Sequence, residues 1–192
     1  PVGVIAIVAG RYLLPRTRVT AGQPKGTARE VLRTNGVLRA LIGALLAYLV
    51  LFGPIVLVPA VLQDAGRTPL LAGLVAAALP VGFALGAGGG ERLLPRAWSS
   101  HSRCVTGIGI CLGGLAVLVA AGTNLGANVS ALAAVGVGLG IYVPANNADI
   151  MSAVPTRVAA VSGGMVSTAR AIGTAGGTAL VAGLLAFDTS RP

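Results

Sequence analysis

Apolar runs alternate with short polar interruptions along this chain at a spacing of roughly 30 residues. Five runs, at about 38–62, 70–90, 104–121, 129–152 and 158–187, approach or exceed the roughly 20 residues that an α-helix needs to cross a hydrocarbon core. Their punctuation is that of helices. Gln63 to Arg67 is a polar turn, and Thr68-Pro69 supplies an N-cap followed by proline at the first helical position. A loop covers 91–102, Thr123 to Asn128 is an uncharged turn, and Pro155-Thr156-Arg157 precedes the fifth run. Pro54 and Pro59 are expected to kink the first span, Pro80 falls in the middle of the second, and Pro144 lies near the end of the fourth. The apolar stretch within 1–14 is too short to span and reads as the end of a preceding transmembrane helix. Residues 15–36 form a basic polar loop or surface-lying segment, and 188–192 a polar stub. The sequence therefore reads as a piece of a larger protein, with residues 37–187 carrying five transmembrane helices.

Composition sharpens this picture. Hydrophobic residues make up 55% of the 192 and charged residues 10%, whereas a soluble domain carries about 25% charged residues. A soluble fold of this size needs more polar surface than the chain supplies. The expected class is an all-α, polytopic transmembrane helical bundle whose principal partner is the lipid bilayer. The net charge of +9 is mostly a topology signal. Threading five spans puts Arg11, Arg16, Arg18, Lys25, Arg29, Arg33, Arg39, Arg92, Arg96, Arg103 and Arg157 on one side and only Arg67 and Arg191 on the other, with Arg170 inside the fifth span. This positive-inside bias predicts cytoplasmic basic loops, and the expected location is the cell (inner) membrane. The basic residues are not interleaved with aromatics on a polar face, so no nucleic-acid partner is expected.

Within the spans, many of the 29 glycines recur four residues apart: Gly82/Gly86/Gly90, Gly109/Gly113, Gly136/Gly140 and Gly173/Gly177. Such spacing lets helix backbones approach closely in lipid. Cys104 and Cys111 share a helix face but lie about 10 Å apart along the axis, too far for a disulfide, and read as small hydrophobes. Polar residues inside a membrane are costly and mark function more often than surface ones. Ser167, Arg170, Thr174 and Thr178 fall in one sector of the fifth span, with Gly163 beside them. Arg170 is either a cavity-lining cation or a structural arginine paired with a carboxylate or carbonyl. On the fourth span, Tyr142, Asn146 and Asp149 share a face and Asn147 lies on another with Gly136 and Gly140. Asp149 reads either as a gate carboxylate paired with Arg157 or Arg170, or as an ordinary helix-end residue. Tyr48 completes the set of candidate cavity or gate residues.

No catalytic set accompanies them. The one histidine, His101, falls in a loop; there is no HExxH, paired carboxylate, P-loop or metal-spaced cluster. Gly136-Val137-Gly138-Leu139-Gly140 follows no strand, so it is not read as a nucleotide loop, and Asn128-Val129-Ser130 matches a glycosylation sequon beside a span. Neither an enzyme, a cofactor nor a metal is expected.

Residues Val154 to Gly177, running VPTRVAAVSGGMVSTARAIGTAGG, resemble the penultimate cytoplasmic turn and following helix of the major facilitator superfamily in its drug:proton antiporter branch. Gly136 to Asn147 is similar to the preceding helix. Leu57 to Gln63 followed by Thr68 to Leu74 resembles the first helix of that family's C-terminal half, its outer turn and the next helix. Glu91-Arg92 partly matches the family's loop signature and the residues after it do not. Residues 15–36 leave no room for the two extra helices of the 14-helix layout. The resemblance implies the C-terminal half of a major facilitator fold, with the N-terminal half of the same protein as a missing partner. It implies secondary active, proton-coupled efflux of a small amphipathic organic substrate by alternating access, as in multidrug efflux. A metabolite or sugar facilitator of the same fold is the alternative in the same class. A non-transporting membrane scaffold or inactive remnant is the alternative in another.

Overall fold

The computed structural model describes residues 27–34, 36–93 and 98–189. The expected partial helix at 1–14, most of the basic loop and residues 190–192 of the expected polar stub lie outside them, while Asp188 and Thr189, expected in that stub, end the last helix. The described chain is helical throughout, in the order α1 (Ala28–Arg33), α2 (Val37–Asp64), α3 (Pro69–Ala76), α4 (Ala78–Leu93), α5 (Ser100–Ala121), α6 (Leu125–Ala153), a 3-10 turn (Thr156–Val158) and α7 (Ala159–Thr189). Counting α3 and α4 as one span, Pro69–Gly90, five segments are long and apolar enough to cross a membrane. Their outward faces carry exposed side chains such as Leu70, Leu85, Leu112, Val119, Leu180 and Phe187. Water would penalise a face of that kind, and hydrocarbon does not.

α5 and α6 start earlier than their apolar runs, because polar caps extend them. Ser99 Oγ accepts a hydrogen bond from the Ser102 backbone N–H at 3.2 Å, so α5 begins at Ser100 and His101 sits in its first turn rather than in a loop. Asn124 Oδ1 accepts from the Ala127 N–H at 3.1 Å, so α6 begins at Leu125 rather than near 129. Asn128 then turns back and donates to the Gly122 and Asn124 carbonyls, each at 2.9 Å. That amide is buried and engaged, so the sequon is a chance match. α2 runs unbroken through Pro54 and Pro59. The second span breaks at Ala77 instead, four residues before Val81 and three before Pro80, whose ring removes a donor and crowds the carbonyl a turn earlier.

α6 is the most buried span and lies between α4 and α5. Gly136 and Gly140 face α4: a Cβ on either would overlap the carbonyl oxygen of Leu79 or Phe83. Gly82 and Gly86 on α4 return the same contact against the Ala133 and Val137 carbonyls. Gly138, about 200° around the helix from Gly136, faces α5, where a Cβ would overlap the Gly107 carbonyl; Gly107 and Gly114 reciprocate against Gly138 and Ala131. The expected Gly109/Gly113 pair takes no part, since both face open space. α5 is turned so that 107, 111 and 114 meet α6, which a search for strict four-residue spacing overlooks. Gly90 is in ordinary contact with the Ile141 side chain.

On the far side of the bundle, α7 packs along α2 through Gly173 and Gly177, which lie against the Leu45 and Leu49 carbonyls. α1 is short but anchored: Val31 is fully buried in a cluster with Val37, Leu41, Ile150, Val154 and Val158. That burial lays Glu30 over the turn between α6 and α7, where its carboxylate pairs with Arg157.

Adding one methyl group at the α4–α6 contact should therefore separate two backbones that have no side chain to yield. Gly140→Ala is expected to lower stability by about 1–3 kcal/mol, whereas Gly109→Ala should be neutral or slightly stabilising, because alanine favours a helix by up to about 1 kcal/mol over glycine. Thermal unfolding of the purified protein in detergent reads both, and equal behaviour of the two variants would contradict the packing.

Candidate functional site

The polar residues inside the spans separate into two places. The first is built on the C-terminal half of α6. Tyr142 and Asn146 are one turn apart, on the same face, and both are buried. The Tyr142 hydroxyl donates to Asn146 Oδ1 at 3.3 Å, and Asn146 Nδ2 donates to the Ala40 carbonyl of α2 at 3.0 Å. These bonds couple α6 to α2. Gly43 makes room for them, since a Cβ there would overlap the Tyr142 hydroxyl oxygen.

Beyond this link, toward the end of the bundle that carries Arg33, Arg103 and Arg157, α2, α5 and α6 diverge around a cavity of about 530 Å³. Asp149 lines it, as do Arg39, His101 and Cys104. Sequence reading placed Asp149 correctly on the Tyr142–Asn146 face but missed the other three. From sequence alone Arg39 reads as one of the basic cytoplasmic charges and His101 as a loop residue. The available signal was Ser99, whose capping of α5 puts His101 on a helix. Asp149 does not pair with Arg157, which Glu30 holds, nor with Arg170. Among the described residues its carboxylate forms no ion pair.

The second place is the α2–α7 face. Arg170 lies about 16 Å along α7 from its start, with its guanidinium over the Tyr48 ring at 5.4 Å from the centroid, a cation–π arrangement. Its Nε is buried without a hydrogen-bond partner. The structural alternative, an arginine paired with a carboxylate, is not what the described residues form. Ser167 is exposed, and Thr174 and Thr178 are half-buried. Thr178 Oγ1 turns back onto its own helix, donating toward the Thr174 and Ala175 carbonyls at 3.0 Å. Gly163 faces open space. The stripe is thus a polar strip down the most thinly covered span. Asn147 belongs to neither group by any bond: it is half-buried and its Oδ1 has no partner. Cys104 and Cys111 are both free thiols, with Cys111 buried in the apolar core.

A family model described as Major Facilitator Superfamily matches residues 1–178. No curated protein and no solved structure matches the chain.

The Gly43–Tyr142 contact yields a compensation. Gly43→Ala should destabilise the protein by forcing the tyrosine hydroxyl aside. In Tyr142→Phe the atom left nearest to that methyl is the ring carbon at 3.4 Å, an ordinary contact. The double variant should therefore be more stable than the sum of the single effects, with a coupling of about 0.5–3 kcal/mol. Additive losses in a double-mutant cycle of unfolding in detergent would contradict it.

Proposed function

Since the chain belongs to the major facilitator superfamily, a class of membrane transporters, we propose that it forms the C-terminal half of a proton-coupled exporter of small amphipathic organic compounds. The observation that carries this reading is the uncovered polar strip on α7 with Arg170 over Tyr48. An arginine with an unpartnered buried nitrogen, on a strip open to its surroundings, is costly against lipid tails and suits a water-filled cavity or a facing protein wall. In a transporter of two halves, such a cavity lies between them, and alternating access rocks one half against the other around it.

In this reading Arg170, Tyr48, Thr174 and Ser167 face the substrate path; the buried, unpartnered Oδ1 of Asn147 lies on α6, outside this strip. The Tyr142–Asn146–Ala40 bonds hold α2 against α6 as the half moves. Export and proton coupling are supported by the likeness of residues 154–177 and 136–147 to the drug:proton antiporter branch. The excess of arginine at the end bearing Arg33, Arg39, Arg103 and Arg157 supports a cytoplasmic orientation for that end.

The test is transport by the complete transporter reconstituted in liposomes under an imposed pH gradient. Arg170→Ala is expected to reduce flux at least about tenfold with assembly retained, and Arg170→Lys to keep part of it, because lysine preserves the charge without the planar stacking. Undiminished flux in Arg170→Ala would overturn the assignment of the cavity wall. Flux indifferent to collapse of the pH gradient would overturn proton coupling alone.

A further inference from the structure

α2 and α5 do not pack against each other over most of their lengths; α6 forms the floor between them. Two cavities succeed one another in this furrow, sharing Ile108 and Tyr142 in their walls. The one nearer the basic end, about 530 Å³, carries Arg39, His101 and Asp149. The next, about 250 Å³, is walled by Leu46, Val50, Leu112 and Leu115 with Cys111 at its back. Together they make a polar chamber continuing into an apolar trough along the bundle's side.

The polar chamber holds charges of both signs that do not satisfy each other. Among the described residues the ion pairs include Arg157–Glu30 and none at Arg39, His101 or Asp149, although all three line one cavity. Among the described residues no side-chain hydrogen bond engages the Asp149 carboxylate or the Arg39 guanidinium; Ser152 donates to the Asp149 backbone carbonyl instead. Opposite charges that share a chamber yet stay unpaired fit an occupant that itself bears both signs. The apolar trough requires that this occupant also carry a hydrocarbon chain. Leu46 and Leu112, on facing walls, are both well exposed.

From this juxtaposition we infer that the furrow between α2 and α5 binds a zwitterionic phospholipid of the surrounding bilayer. Its phosphate meets Arg39 and His101, its ammonium meets Asp149, and an acyl chain lies along Leu46, Val50, Leu112 and Leu115. Phosphatidylglycerol brings the same phosphate to Arg39 but no cation to Asp149, which stays uncompensated, so the chamber favours the zwitterionic lipid. The site is separate from the α2–α7 face, and its occupancy does not depend on which molecule the protein transports.

Native mass spectrometry of the full-length protein in detergent tests this, with phosphatidylethanolamine, phosphatidylcholine or phosphatidylglycerol added singly. The wild type is expected to retain one zwitterionic lipid in preference to phosphatidylglycerol by about tenfold, the scale of one charge-assisted contact. Asp149→Asn should erase or reverse that preference, and Leu112→Trp, which fills the trough, should weaken retention of all three. Arg39→Gln gives an independent arm in which retention of each lipid falls, and Arg157→Gln, outside the furrow, should change nothing. Stronger retention of phosphatidylglycerol by the wild type, a preference unchanged in Asp149→Asn, or undiminished retention in Arg39→Gln, would overturn the assignment.

Discussion

The fold depends on the approach of two backbones to opposite sides of α6. Gly136 and Gly140 admit α4, and Gly138 admits α5, at distances no side chain permits. In lipid there is no hydrophobic drive between helices, so close van der Waals contact of this kind must hold them together. The glycine run fixes α6 as a shared centre with its two neighbours tightly applied. It also fixes which face of α6 remains for α2. On that face side chains do the joining, through Tyr142 and Asn146 to the Ala40 carbonyl. α2 in turn carries α7 through a second glycine contact at Gly173 and Gly177. The described bundle is therefore two tightly packed groups connected by a looser, hydrogen-bonded seam.

Much of this was legible in the sequence. Hydropathy alone located all five spans, because a membrane helix needs a long apolar run and little else imitates one. Three of the four glycine sets do form close contacts. The failure at Gly109 and Gly113 has a physical cause: four-residue spacing says that a face is smooth, not which face meets a neighbour. Boundaries slipped where polar caps extended helices past the apolar run, at Ser99 and Asn124. Polar positions within the spans are legible one helix at a time, but not how they group across helices. Tyr142, Asn146 and Asp149 were correctly placed on one face of α6. That α2 and α5 bring Arg39 and His101 to the same cavity is a long-range property that no local pattern encodes. Of the two readings of Asp149, the pairing with Arg157 or Arg170 does not form, and Arg157 goes to Glu30 because burial of Val31 positions α1 over that turn.

The two polar regions differ in character, and this separates two demands on a transporter. The α7 strip places one cation and several hydroxyls along a wall with little over it, and the Tyr48 ring gives the cation a partial partner that a competing ligand can displace. The chamber between α2, α5 and α6 holds mixed charge at one end of the bundle and opens to the side through an apolar trough. In the proposed reading the first region faces the cavity about which such transporters alternate.

The most direct measurement is the accessibility of the α7 strip to water in the membrane. With Cys104 and Cys111 replaced by serine, single cysteines at Ser167, Thr174 and Thr178 would be labelled in membranes holding the complete transporter, using a water-soluble maleimide. Cysteines at Ile172, Leu180 and Leu184, which are exposed apolar positions of the same helix, serve as the reference. A water-filled cavity predicts reaction at 167, 174 and 178, slowed by a transported substrate, and little at 172, 180 and 184. Equal protection of both sets, or reaction confined to the apolar positions, would contradict the assignment of this face to the transport path.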